Sequence, residues 1–174
     1  MLVRRVNVMI EVRIASLALD PQTNSPVIVL KPLLEEPGHG RLLPIWIGHP
    51  EATAILLALE GAEPSRPLTH DLMRNMLQSL DTYVERVEIT RVEEGTFFAA
   101  LVLRGEERSF AIDARPSDSI ALAIRMGAPL FVAEEVLESA AIADEPGAMP
   151  ADEEAELAEF RDFLDSVQPE DFES

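Results

Sequence analysis

Apolar and polar residues alternate with period two over residues 6–19, where Val6, Val8, Ile10, Val12 and Ile14 fall on one face of a strand. The stretch 20–26 is a turn by composition, and 27–34 returns as the second strand of a hairpin. After a Pro/Gly loop at 35–40, residues 42–47 form the nearly continuous apolar run of a central strand. A helix follows: Pro50 opens it, Glu51 sits in its first turn and Gly61 closes it. Beyond a loop at 62–67, Leu68, Leu72, Met76, Leu77 and Leu80 take helical spacing, with Thr69 as the N-cap. Residues 83–92, 96–103 and 108–113 read as a three-stranded meander with turns at 93–95 and 105–107.

The meander leads into a second strand-to-helix junction. Pro116 has a fixed φ and no N–H, which suits a first helical turn, and it drives Arg115 towards an extended conformation. From Ile120 to Ile124 every residue is apolar, so this helix is expected to be buried all round, as is the helix after Pro50. The junctions share a layout of strand, proline, first-turn carboxylate, apolar helix and closing glycine (Gly61, Gly127). A degenerate internal duplication and chance similarity both account for it. A short buried strand at 130–132 and a last helix at 133–142 complete the order. The expected class is α+β, a mostly antiparallel sheet with two buried strand-to-helix units.

Residues 1–143 make one domain, and 144–174 make an acidic linker and C-terminal helix or tail. In that tail Leu157, Phe160, Phe163, Leu164 and Val167 recur at helical spacings. This suits a tail packed loosely on its own domain or left disordered, or else a docking helix for a partner protein's apolar groove.

Charge narrows the partners. The net charge is −18. From Asp144 onward there are 12 acidic residues and one basic, leaving −11; residues 1–143 hold 20 acidic and 13 basic, leaving −7. Lys31 is the only lysine. Neither part offers the basic surface that sequence-independent nucleic-acid binding uses. The absence of cysteine excludes disulfides, thiolate nucleophiles and Cys-ligated metal sites. The N-terminus lacks the apolar core of a signal peptide, and no apolar helical run is long enough for a bilayer. A cytoplasmic protein without membrane contact is the expectation. Phosphate-binding glycine loops, GxSxG elbows, HExxH and zinc spacings are absent. Trp46 and Tyr83, each the only one of its kind, leave little for base stacking beyond Phe97 and Phe98.

Three groups of residues carry candidate chemistry. His70 and Asp71, at a helix start, suit proton relay or metal ligation; the plainer reading is a helix cap beside a solvated histidine. Asp113, Arg115 and Asp118 crowd the mouth of the second buried helix. They suit a charged reaction centre, or an ion pair pinning the turn with Asp118 complementing the helix dipole. Glu51 meets Asp113 or Asp118 if the two strand-to-helix units lie side by side. Glu51 and Glu60, nine positions apart, face opposite sides of their helix.

Four stretches carry a family resemblance: Leu43-Pro-Ile-Trp-Ile-Gly48 with Glu51-Ala and Leu59-Glu-Gly61; Arg66-Pro-Leu-Thr-His-Asp-Leu72; Asp113-Ala-Arg-Pro-Ser-Asp118; and Ala128-Pro-Leu-Phe-Val132 with Val136-Leu137. In order and spacing they resemble the bifunctional nuclease domain over roughly residues 5–142. The resemblance implies an α+β fold, frequent homo-oligomers and activity on RNA and DNA. It points to Glu51, Glu60, Arg66, His70, Asp71, Asp113, Arg115 and Asp118 as the positions matching family motifs. Under this reading Asp113 and Asp118, with Glu51 or Asp71, would hold Mg²⁺ or Mn²⁺. His70 would be the general acid or base, and Arg115 or Arg66 would neutralise developing phosphorane charge. The competing reading, favoured by the net charge, is a non-enzymatic binding or regulatory module whose polar cluster is structural or holds a small ligand. A homo-oligomer is also expected from the hairpin 6–34, taken as a free sheet edge.

Overall fold

The computed structural model describes residues 8–144; expectations for 1–7 and 145–174, the acidic helix included, lie outside the described residues. Among the described residues, eight strands and four helices form an α+β fold, as the element order implied. The strands are β1 (Met9–Leu19), β2 (Pro26–Pro32), β3 (Arg41–Trp46), β4 (Tyr83–Glu93), β5 (Thr96–Arg104), β6 (Ser109–Ala114), β7 (Leu130–Ala133) and β8 (Ile142–Ala143). The helices are α1 (His49–Leu59), α2 (Thr69–Ser79), α3 (Pro116–Met126) and α4 (Glu134–Ala140). No helix among the described residues is long and apolar enough to cross a membrane.

The sheet runs β6-β5-β4-β7-β1-β2-β3-β8. Among the described residues only β4 and β7 pair in parallel; every other neighbour is antiparallel. Two three-stranded meanders, β1–β3 and β4–β6, are each followed by a helix with an extended cap residue and a proline in its first turn. The repetition of layout seen in the sequence therefore extends to strand order. The hairpin β1–β2 is not a free edge: β1 lies between β7 and β2, and β2 between β1 and β3. The near-continuous apolar content of β2 suits an interior place. The terminal strands are β6 and the two-residue β8, which replaces the end of the helix expected at 133–142.

One core joins sheet and helices, with Ile28, Leu30, Leu43, Ile55, Val87, Ile120 and Leu122 sealed from solvent. Each such side chain contributes about 1.5–3 kcal/mol by leaving water. The helix α3 is buried from Ile120 to Ala123 as expected, and it ends at Gly127, whose φ of 65° is the left-handed conformation glycine tolerates. The helix α1 departs from expectation. Ala52, Ile55 and Leu56 face the core, whereas Ala54 and Leu57 line an open cleft, so its second apolar face serves as a wall. Lys31 is 2% exposed, and its ammonium donates to the His39 carbonyl at 2.6 Å and to Asp144 at 2.5 Å. Asp144, expected to begin the tail, is thereby fastened to the core. Burying a charge is tolerable only with partners of this kind.

Candidate active site at three helix starts

The starts of α1, α2 and α3 converge on a cleft of about 660 Å³ lined by His49, Glu51, His70, Arg115 and Asp118, with Pro50, Leu57, Pro67 and Leu68 as apolar wall. Helix starts suit such a place because their unpaired N–H groups favour negative charge. The proline after Arg115 holds that residue extended (φ −74°, ψ 146°), so its side chain leaves the chain just before the helix begins. From there the guanidinium spans both strand-to-helix units. Its Nη2 donates to Glu51 Oε1 at 2.7 Å and its Nε to Asp118 Oδ2 at 2.8 Å. Asp118 Oδ1 lies 3.1 Å from His70 Nε2. Glu51 and Asp118 thus meet through Arg115, as a side-by-side arrangement of the units required.

Electrostatics fix the states of this chain of groups. Burial pushes the Asp118 carboxyl up, but Arg115 and then His70 outweigh it and hold the group below the ordinary carboxylate range. Arg115 is raised in turn, chiefly by Asp118 and then by Glu51. With Asp118 ionised and accepting, His70 Nε2 carries the hydrogen, and in the neutral ring the lone pair resides on Nδ1. The Arg115 side chain is 65% exposed, so its ion pairs are worth less than about 1 kcal/mol each. Their effect is to aim a guanidinium at the cleft.

Gly48 makes room for this arrangement. A Cβ there would collide with Glu51 Oε2, although the backbone at Gly48 (φ −76°, ψ 157°) suits any residue. Gly48→Ala is therefore expected to displace the Glu51 carboxylate from Arg115 without unfolding the chain. A structure of the variant should show that displacement, with Tm within about 2 °C of the parent. A Glu51 carboxylate still bonded to the Arg115 guanidinium in the variant would contradict this reading of Gly48.

The remaining candidates fall elsewhere. Asp71 turns away from the cleft. It accepts from Arg125 Nε at 2.7 Å and caps α2 through the Leu68 N–H at 3.0 Å; Leu68, not Thr69, is the N-cap residue. Arg125 also donates to the carbonyls of Ala54 and Ala121, tying α1, α2 and α3 together. Sequence reasoning misses Arg125; a lone cation directly after the apolar run 120–124 is the available signal. Arg66 is exposed on the loop before Pro67 and stands outside the ion-pair chain. Asp113 stands apart as well. In β6 it pairs with Ala100, while Ile112 and Ala114 pair with the core residues Leu101 and Ala99. Side chains alternate along a strand, so Asp113 points to the sheet face opposite the helices.

Asp113 and Asp118 consequently do not form a joint metal site. The other carboxylates, Glu51 and Asp118, already share the Arg115 guanidinium, and Asp118 is hydrogen-bonded to His70 as well. No group of three His, Asp or Glu side chains among the described residues converges to hold a metal ion. This donor set does not fit Mg²⁺ or Mn²⁺ as arranged.

Residues 32–145 match the family described as the bifunctional nuclease domain. An uncharacterized protein of Mycobacterium tuberculosis is 44% identical over 168 residues, covering 94% of this chain and 98% of its own length. Bifunctional nuclease 1 of Arabidopsis thaliana is 30% identical over 110 residues, 62% of this chain and 33% of the plant protein. Bifunctional nuclease 1 of Oryza sativa subsp. japonica is 31% identical over 108 residues, 60% and 32% respectively. The chain thus spans about a third of the plant relatives it matches. On the extent of the family match and of the mycobacterial similarity, the chain belongs to the bifunctional nuclease domain family.

Proposed function

We propose that this protein is a phosphodiesterase acting on RNA and DNA, with its reaction centre in the cleft at the three helix starts. The observation that carries the reading is the linked series Glu51–Arg115–Asp118–His70 along one wall of an open cleft. The plant relatives named bifunctional nucleases support it through the shared domain.

Each residue has a role. Asp118 holds His70 in one tautomer, as a carboxylate does in histidine–carboxylate pairs generally. The Nδ1 lone pair of His70 takes a proton from the attacking water as its oxygen bonds to phosphorus; the P–O bond to the departing oxygen breaks, and solvent water protonates that oxygen. Arg115 stabilises charge on the non-bridging phosphoryl oxygens. Arg66, beside the cleft residue Pro67, is a second guanidinium for the adjoining phosphate. The flat walls of Pro50, Pro67 and Leu68 accept a base unpaired from its strand, which favours single-stranded substrate.

The alternative, a binding module, has one specific observation behind it. Each carboxylate of the cluster already accepts from the one guanidinium, as in a structural network. A single assay separates the readings. Labelled single-stranded RNA and DNA are incubated with purified protein across a salt series, with Mg²⁺, with Mn²⁺ and with EDTA. The nuclease reading expects cleavage. With only one or two cations at the cleft, log K against log salt should slope about −0.7 to −1.4, far shallower than for a basic groove. Asp113→Asn should cleave like the parent. Binding without cleavage in every arm would establish the module instead.

A further inference from the structure

We propose that Arg125 and Asp71 are positioning residues for the cleft: their buried ion pair holds the starts of α1, α2 and α3 at the spacing that lets His70 meet Asp118. The inference rests on the reading of that cleft as a reaction centre. The groups that face the cleft do not set this spacing themselves. Arg115, which joins α1 to α3 there, is 65% exposed and its ion pairs are weak. The bond between His70 and Asp118 is a single contact of 3.1 Å. Beneath them α1 and α2 each pack on α3, but apolar contact is non-directional and fixes the spacing only loosely.

Arg125 supplies the directional contact. It stands in the last turn of α3, its side chain 6% exposed, against an Asp71 side chain 11% exposed. Its Nη1 donates at 2.8 Å to the Ala121 carbonyl one turn back in its own helix, which aims the guanidinium. The same nitrogen donates at 2.9 Å to the Ala54 carbonyl of α1, and Nε donates at 2.7 Å to Asp71 Oδ1 of α2. Asp71 Oδ2 accepts the Leu68 N–H at 3.0 Å, so the carboxylate is held at both oxygens. These anchors lie close to the cleft residues along the chain. Asp71 follows His70, Ala54 comes one turn after Glu51, and Ala121 one turn after Asp118. Each anchor is thus within about 4.5 Å of its cleft residue along the helix axis. A shift at the guanidinium passes to the cleft nearly undiminished.

A buried ion pair is a poor choice for adhesion alone. Two charges taken out of water add little net stability, and an apolar pair of similar volume often adds more. What the pair adds is direction, because a planar guanidinium satisfies acceptors on three helices in one arrangement only. Direction is what proton transfer needs: a misplacement of about 1 Å costs on the order of 100-fold in rate. If the helix starts slide apart, Asp118 no longer holds the hydrogen of His70 Nε2, and the lone pair is no longer confined to Nδ1.

The test uses the full chain and removes both charges together. Arg125→Met alone leaves Asp71 buried without its cation; adding Asp71→Leu should recover roughly half or more of the Tm lost. Turnover should stay low. On labelled single-stranded RNA, kcat should fall roughly 10- to 100-fold, as when a supporting partner of a site residue is lost, with KM within about twofold of the parent's. Nitrogen NMR of the imidazoles, with His70 assigned through His70→Asn, reads the geometry without substrate. The parent should show His70 protonated at Nε2, and the double variant an exchange between both tautomers. Arg125→Lys decides the matter if the double variant does not fold: it keeps the charge beside Asp71 but lacks the planar fork, and should lose about tenfold in kcat. A kcat that recovers together with Tm, a parental His70 spectrum in the double variant, or parental turnover in Arg125→Lys overturns the proposal and leaves the pair a structural one. A parent that binds RNA without cleaving it refutes the reaction-centre reading instead, and the nitrogen spectra then still decide whether the pair positions His70.

Discussion

His70→Asn is expected to lower kcat/KM for cleavage by roughly 100- to 10,000-fold, the range lost when a positioned general base is removed. Asparagine keeps a polar group near Asp118 but has no lone pair that can take a proton at neutral pH. The substitution should spare the fold, because His70 contributes one hydrogen bond at the rim of the core, not an apolar anchor. Substrate binding should change much less than turnover, since Arg115 and the cleft walls remain. That split between KM and kcat distinguishes a proton-transfer role from a packing one. If kcat and Tm instead fall together, His70 is a structural residue and the catalytic assignment fails.

Arg125→Met is expected to destabilise the protein by about 3 kcal/mol, lowering Tm by roughly 6–12 °C. The Arg125 side chain is 6% exposed and its guanidinium satisfies Asp71 and two carbonyls on different helices. Methionine fills much of the space but leaves those three acceptors without their donor. The pair also has a pH signature. Burial pushes Asp71 up, yet Arg125 and the Leu68 N–H outweigh it and hold the carboxyl below its ordinary value. A carboxyl lowered on folding contributes stability that is complete above its unfolded pKa of about 3.9 and fades as pH falls through the folded value. The gap between parent and Arg125→Met should therefore narrow below about pH 4. Urea unfolding at pH 7 and pH 3 checks both statements. A loss under about 1 kcal/mol at pH 7 would mean that water replaces the guanidinium without difficulty.

How much of this was legible in the sequence varies by element, for physical reasons. Strands and helices were readable where one face is apolar and a proline or glycine punctuates the end, as at Pro50, Gly61, Pro116 and Gly127. Partner faces were harder. The apolar residues of α1 were read as buried all round because composition cannot separate a core face from a cleft wall. In α2, Leu77 faces the core while Leu72 and Met76 face out, a distinction of one helical step that only the packing of α3 decides. The sequence leaves open whether Glu51 meets Asp113 or Asp118 and makes either depend on the two units lying side by side; in the fold their helices pack together and Arg115 joins Glu51 to Asp118. The place of Asp113 was not, because its nearness to Arg115 in sequence conceals a strand alternation that points it to the other face. Lys31, buried against Asp144, lay inside an apolar strand with no signal of its distant partner.

The central claim is that the Arg115 cluster is a phosphodiester-cleaving centre, and one comparison tests it most directly. Parent protein and Arg115→Ala, purified identically, are assayed on the same labelled single-stranded RNA. Arg115 is two-thirds exposed, so the variant should fold and melt like the parent. The account expects the parent to cleave and the variant to lose roughly 100- to 1,000-fold of that rate, as when an oxyanion-stabilising donor is removed. Equal cleavage by the two preparations would contradict it, because the activity would then arise outside this cleft.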